Sequence, residues 1–330
     1  MTLNGYENSF QDIPFHKITK FGQRTMLDRP LFNTSWILGR FCNYNCSYCW
    51  PYARSDRVDH QDFEVYTRTV DEIKRQARAN GFKEFHWSFS GGEPTAYKRL
   101  LDLIKYMDDI TVPYQSVHMT TNLSPGSKWW KNWCDATAAW QRRSITASYH
   151  AEHAKEQEFG DKCLQLIYEG VHVTVNQVMV PEKFYELYER MERLYNRGIN
   201  VTLKPQSDPT ASGIVDGYTE DMIYKMQTGF PQSSNGEDIY QIALYDDSKE
   251  YLFDQAERFN AFGFNKFKDW TCNAGYQSVI IRGTEVKRSY SCHDQSLGNI
   301  LTGFDLFTEP KACITPSCVS SADSKIPKQK

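Results

Sequence analysis

Between residues 34 and 206, apolar positions follow two alternating rhythms, one near period 3.6 and one of period 2. Tyr66, Val70, Ile73 and Ala77 share one helical face, with Gly81 as a stop. Phe184, Leu187, Tyr188, Met191, Leu194 and Tyr195 form a second stripe, ended by Gly198. Trp130, Trp133, Thr137 and Trp140 predict a third helix, and Phe159, Cys163, Leu166 and Ile167 a fourth. Strand-like runs lie between them, near 35–41, 84–90, 115–122, 144–150, 171–180 and 199–206. Strand and helix alternating in this way predict an α/β fold with a parallel sheet covered by helices.

The strand faces refine that picture. Phe85, Trp87 and Phe89 alternate with His86, Ser88 and Ser90, and Val117 and Met119 with His118, Thr120 and Asn122. Ile145, Ala147 and Tyr149 alternate with Thr146, Ser148 and His150. The next two strands set Val173 and Val175 against Thr174 and Asn176, then Val201 and Leu203 against Thr202, Lys204 and Gln206. A flat sheet covered on both sides would be apolar on both faces. One consistently polar face fits a sheet curled into a barrel, helices outside and a hydrophilic lumen inside. The alternative is an antiparallel sheet with one wet face, which the intervening helices disfavour.

Residues 1–33 are an N-terminal extension to the barrel at 34–206. Over 207–270 the rhythm breaks into a linker, hairpin and helix region, with the hairpin turn at Asp246–Lys249. Residues 271–330 are turn-rich and bury little core alone, so they suit a small unit built on a metal. The final KIPKQK is expected to be a disordered tail.

Composition is that of an ordinary globular protein, and a formal charge of −3 gives no general pull toward nucleic acid or an anionic membrane. No apolar run approaches the roughly 18 residues of a membrane span, and the start lacks a signal-peptide layout, so a cytoplasmic protein is expected. Nine cysteines in that reducing compartment point to metal or catalysis rather than disulfides. Three fall at 42–49 and four at 272–318, while Cys134 and Cys163 stand alone. Two sets so far apart suggest two metal sites.

Cys42-Asn-Tyr-Asn-Cys46-Ser-Tyr-Cys49 follows the first strand. Structural zinc sites usually pair cysteines as C-x2-C and complete four ligands. Three thiolates with no fourth nearby instead leave one position open, which on an iron–sulfur cubane can bind a substrate or cofactor. This spacing, with aromatic Tyr48 before the last cysteine, resembles the radical S-adenosylmethionine (SAM) superfamily. The resemblance continues at Ser90-Gly91-Gly92-Glu93-Pro94, where members carry a GGEP motif. It implies a partial (β/α)6 barrel with its site at the C-terminal strand ends. It also implies a [4Fe–4S] cluster on Cys42, Cys46 and Cys49, with SAM near Tyr48, Gly91, Gly92, Glu93, Pro94, Asn122 and Ser148. The adjacent glycines would let backbone approach the methionine moiety of SAM. The implied chemistry is reductive cleavage of SAM to methionine and a 5′-deoxyadenosyl radical, which abstracts hydrogen.

Cys272, Cys292, Cys313 and Cys318 supply four more thiolates. With Gly283 and the LGNI segment they resemble the shorter, twitch type of auxiliary-cluster domain, implying a second [4Fe–4S] cluster in a C-terminal unit. The C-x4-C spacing at Cys313–Cys318 departs from the usual pattern, so His293 is an alternative ligand and structural zinc an alternative metal. Such a cluster would accept or relay an electron, or support the segment structurally.

Cys134 and Cys163 read as buried small hydrophobes or as hydrogen-atom donors, the latter as an epimerase needs. His118 and His150 face the expected lumen, as polar contacts or scaffold, and Lys204 would grip an anion or hydroxyl or pair with a buried acid. The expected function is oxidation or epimerisation of a polar hydroxylated small molecule, with flavodoxin or ferredoxin as reductant. Modification of a ribosomally made peptide and non-catalytic electron carriage are the alternatives.

Overall fold

The computed structural model describes residues 15–50, 53–210, 213–231, 242–245, 250–253, 264–292 and 295–330. After β1 (Lys20–Gln23) and the short α1 (Arg24–Asp28), strands and helices alternate. They are β2 (Leu31–Ile37), α2 (Phe63–Ala79), β3 (Glu84–Ser90), α3 (Leu100–Met107), β4 (Gln115–Thr121) and α4 (Ser127–Ala136). Then come β5 (Arg142–Tyr149), α5 (Glu156–Tyr168), β6 (His172–Met179), α6 (Phe184–Asn196), β7 (Asn200–Pro205) and α7 (Glu220–Thr228). Strands β2 to β7 pair in parallel, in chain order, as the partial (β/α)6 barrel.

Two boundaries differ from the sequence reading, each for a local reason. β2 spans Leu31–Ile37, so 38–41 already belongs to the cysteine loop, because Tyr66 Oη takes the Leu38 carbonyl (2.7 Å) and Asp59 takes the amides beyond it. The third helix stops at Ala136, where Thr137 turns its hydroxyl back onto the Trp133 carbonyl (2.9 Å). Trp140 lies past that end, yet stays buried and donates to Asp108 (3.0 Å).

The C-terminal third adds strands to the barrel sheet. β8 (Ile242–Tyr245) and β9 (Glu250–Phe253) pair antiparallel as the expected hairpin, whose turn residues lie outside the described ones. β10 (Thr271–Cys272) precedes β11 (Ser278–Arg282), which joins the free edge of β2 in parallel. β12 (Glu285–Lys287), β13 (Ser296–Asn299) and β14 (Gly303–Phe304) follow antiparallel, completing ten strands. β15 (Lys311–Ala312), α8 (Ser321–Ser324) and β16 (Lys328–Gln329) end the chain. A second, six-stranded sheet runs β15-β10-β16-β1-β8-β9.

Contrary to the expectation of a disordered tail, β16 is an interior strand between β10 and β1. Backbone pairing on both edges, and carbonyls gathered around the Lys328 ammonium, hold a segment that composition alone reads as solvated.

The parallel strands keep the expected faces. Outward positions such as Trp36, Trp87, Val117, Ile145 and Val175 are buried in one core with the helices. The lumen face is layered across the register: His86 with Ser116, then Ser88, His118 and Ser144, then Thr146 and Thr174, then Ser148, Asn176 and Thr202. None of these positions carries a carboxylate. At the N-terminal strand ends a cavity of about 20 Å³, lined by Asn33, His86, Ser116 and Arg142 among others, has room for one water.

Candidate functional site at the C-terminal strand ends

The cysteine loop leaves β2 under several constraints. Asp59 accepts from the Arg40 amide (2.9 Å) and the Phe41 amide (3.1 Å), and Ser55 N donates to the Arg40 carbonyl (2.8 Å). The GGEP segment then pairs with the same stretch: Gly92 N donates to Gly39 O (3.0 Å) and Glu93 N to Phe41 O (2.8 Å). A Cβ at Gly91 would lie 2.3 Å from the Gly39 carbonyl oxygen, and one at Gly92 2.1 Å from that of Phe41. Both distances are far below contact, so chain packing requires glycine at each position. Gly91 also sits at φ +127°.

Glu93 is almost wholly buried, yet four donors converge on its carboxylate: Thr95 N (3.0 Å), Thr95 Oγ1 (2.7 Å), Thr121 Oγ1 (2.8 Å) and Asn122 N (2.7 Å). Burial pushes its pKa up, against the pull of those hydrogen bonds. The carboxylate thereby ties the end of β4 to the GGEP turn. Asn122 extends the tie, donating from Nδ2 to Asn43 on the cysteine loop (2.9 Å) and accepting from Ser124 N (2.9 Å).

Cys42 and Cys46 are half-buried and Cys49 is exposed. Partial burial raises all three thiol pKa values, that of Cys46 to about 11, so ligation to a metal would have to drive their deprotonation. Around Cys46 the loop after β5 forms a polar wall. His150 Nδ1 lies 3.2 Å from Cys46 Sγ and 2.8 Å from Tyr48 Oη, with the Tyr48 and His150 rings stacked at 6.0 Å. Glu152 accepts from Ser47 N (2.8 Å) and from the Ser47 hydroxyl, and His153 stacks on Tyr44 at 4.6 Å. Burial pushes the His150 pKa down to about 4, so its ring is neutral near pH 7.

The four C-terminal cysteines, Cys272, Cys292, Cys313 and Cys318, are all buried. Cys292 and Cys318 each lie near enough to Cys272 and Cys313 to feel their charges, so residues scattered over 272–318 come together in one region. Burial pushes the Cys318 thiol up to about 12. The framework is backbone: Cys272 pairs with Lys311, Cys313 N donates to Trp270 O (2.7 Å), and Cys318 N donates to Asn265 O (2.8 Å). His293 lies outside the described residues.

The remaining candidates separate by place. His118 is in the lumen, Nδ1 on Ser144 Oγ (2.9 Å) and Nε2 on Thr146 Oγ1 (3.2 Å), its pKa pushed down to about 3 by burial. Ser148 and Lys204 lie higher on the same face, Ser148 beside Asn176 and Lys204 beside Val178. Cys134 on α4 and Cys163 on α5 are packed in the core that the helices share with the outer face of the sheet. Sequence reasoning did not single out Asn43, Asp59, Glu152 or His153. Their roles depend on loops meeting in space, and the one local signal was the polar run His150-Ala-Glu-His153 at a strand end.

Comparison with known proteins agrees with this fold. The sequence model of the Radical SAM superfamily matches residues 36–205. Among solved structures, the chain is similar to "Native anSMEcpe with bound AdoMet" at a TM-score of 0.53 and 14% identity, over 83% of this chain and 79% of that one. It is similar also to anSMEcpe with bound AdoMet and a Kp18Cys peptide, at 0.52 and 13%, over 83% and 78%. Identity this low shows a shared fold. No curated protein sequence matches the chain.

Proposed function

The chain belongs to the radical SAM superfamily, and from that premise we propose that it abstracts hydrogen from a polar, hydroxylated small molecule and thereby oxidises or epimerises it. A sugar, an aminocyclitol and a nucleoside all fit that description. The observation that carries the substrate class is the lumen, whose layers are built from Ser, Thr, Asn and neutral His side chains. Hydroxyls and amides both donate and accept, so they can match a hydroxylated molecule without fixing its charge.

Cys42, Cys46 and Cys49 would hold the [4Fe–4S] cluster, with Tyr48, Gly91, Gly92, Glu93, Pro94, Asn122 and Ser148 bordering SAM. When bound, these groups supply one-electron cleavage of SAM and a radical strong enough to take hydrogen from an unactivated C–H bond. The protein's share is orientation: Glu93 fixes the end of β4, Asn122 fixes the cysteine loop to it, and His150 with Tyr48 fixes Cys46.

Cys272, Cys292, Cys313 and Cys318 would hold the auxiliary cluster. Four thiolates can complete a [4Fe–4S] cluster with every iron held by the protein, and tetrahedral zinc is the alternative. A flavodoxin or ferredoxin would be the reductant. A peptide substrate is the second reading, favoured by the peptide-bound relative of similar fold.

Anaerobic incubation of the reduced, iron-loaded chain with SAM tests the class: 5′-deoxyadenosine is expected, and its absence would leave an electron carrier. Candidate sugars and nucleosides in deuterated water then separate the outcomes, since epimerisation incorporates solvent deuterium and dehydrogenation does not. Turnover of a peptide with none of small molecules would overturn the proposed substrate class.

A further inference from the structure

Among the described residues, two buried cations beside the four C-terminal cysteines have neutral acceptors and no acid within salt-bridge distance. Arg288 is 2% exposed, and its guanidinium donates to the carbonyls of Ala274 (3.0 Å), Ala312 (3.1 Å) and Lys311 (2.9 Å) and to Gln295 Oε1 (2.8 Å). Lys328, also 2% exposed, donates to the carbonyls of Asp323 (2.9 Å) and Ile326 (2.8 Å), more weakly to that of Ser324 (3.5 Å), and lies over the Phe267 ring at 4.7 Å. Among the described residues neither cation has a carboxylate oxygen within salt-bridge distance; the nearby Asp323 carboxylate instead accepts from Ser291 N (2.6 Å). A buried charge without a counter-charge costs several kcal/mol. The groups that feel these cations are cysteines: the Arg288 charge favours the Cys292 thiolate, and the Lys328 charge the Cys318 thiolate.

We propose that Arg288 and Lys328 are the counter-charges of an anionic iron–sulfur centre on Cys272, Cys292, Cys313 and Cys318, and that they hold its reduction potential up so that it takes an electron readily. The inference rests on those cysteines being cluster ligands. Two positive charges match the formal charge of roughly −2 on a four-thiolate [4Fe–4S]2+ centre, and reduction adds one more negative charge. In a low-dielectric interior that added charge is stabilised most by cations that solvent cannot screen. A four-thiolate zinc would carry the same charge but would have no potential to shift.

The test uses the full-length chain with Cys42, Cys46 and Cys49 all changed to Ala, loaded with iron and sulfide, so that the second set alone is read by EPR-monitored potentiometry. Arg288→Met and Lys328→Met each remove a charge at similar length and should lower the ratio of reduced to oxidised centre about tenfold at fixed potential, equivalent to about 59 mV for one electron. Arg288→Lys and Lys328→Arg keep the charge and should recover most of that shift. Asp323→Asn removes the buried negative charge and should move the potential the other way, which decides the matter should the Met variants not fold. Iron-loaded variants with an unchanged potential would overturn the counter-charge role. So would Met and charge-keeping variants that lose thermal stability alike without separating in potential. A parent chain that binds zinc or no metal gives a different result, removing the cluster reading itself and this inference with it.

Discussion

At the barrel mouth three cysteines sit within eight residues on one loop, two half-buried and one exposed, held by contacts from α2, the GGEP turn and the loop after β5. In the C-terminal region four cysteines come from separated strands and turns, and all are buried. The first set is short in sequence and open on one side, as a site that must admit SAM requires. The second is long in sequence and closed, as a site that exchanges only electrons can be. The neighbours differ in the same sense. The open set has neutral His150 and the Tyr48 hydroxyl beside Cys46 and the partly exposed Arg54 nearer Cys42 and Cys49, whereas the closed set has two buried cations, Arg288 and Lys328. On the proposed function, openness to ligand at one centre and control of charge at the other would divide the chemistry between them.

The largest effect should come from breaking the open set. Cys46→Ser is expected to abolish 5′-deoxyadenosine formation and remove about four of roughly eight irons per chain, with little change in thermal unfolding of the metal-free protein, because the loop is only half-buried. Cys313→Ser should do the reverse. It should remove the other irons and lower the stability of the loaded protein by about 2–4 kcal/mol, since metal binding there is also folding energy, while SAM cleavage persists. Iron analysis, calorimetry and product assay on the two variants decide the contrast. Equal loss of SAM cleavage in both would erase the division of labour.

A smaller effect is expected at the joint between the GGEP turn and β4. Glu93→Gln places an amide N–H₂ where four donors converge, leaving at least one buried donor without an acceptor. The cost should be about 1–3 kcal/mol. Because Asn122 ties this joint to Asn43, the loop should also loosen, raising the KM for SAM more than it lowers kcat. An unfolding midpoint like that of the unaltered chain would show that the joint is not under this strain.

The open set was legible in the sequence because its cysteines and their spacing lie in one contiguous stretch, and the strand alternation placed that stretch at a barrel mouth. The contacts that hold it were not. Asp59 and Glu152 belong to loops with no period, and nothing in their spacing says that they reach the amides of Arg40 and Ser47. The closed set was legible as four thiols but not as an environment. Lys328 sits in a segment whose composition reads as a solvated tail, and its burial depends on β10 and β1 pairing on either side of it. Periodicity reports which face a residue takes within an element. It carries no record of pairings made across three hundred residues.

An effect that vanishes at pH 7 and grows only on acidification separates the two regions. Burial pushes the pKa values of His86 and His118 down to about 4 and about 3, so both are neutral in the folded lumen, while in the unfolded chain each takes a proton near pH 6.5. Between those limits the unfolded state binds more protons, so folding stability rises with pH. It is complete above pH 6.5 and is lost as pH falls toward 4, by at most about 1.4 kcal/mol per pH unit for each histidine. His118→Asn keeps a partner for Ser144 and Thr146 but removes the titration, so stability measured by denaturant unfolding of the metal-free chain should fall less steeply below pH 6.5 than in the unaltered protein. The described residues from 264 onward contain no histidine, so no histidine of the closed set should contribute to that slope. A slope unchanged in His118→Asn would place the acid sensitivity elsewhere and detach the neutral lumen from the stability of the barrel.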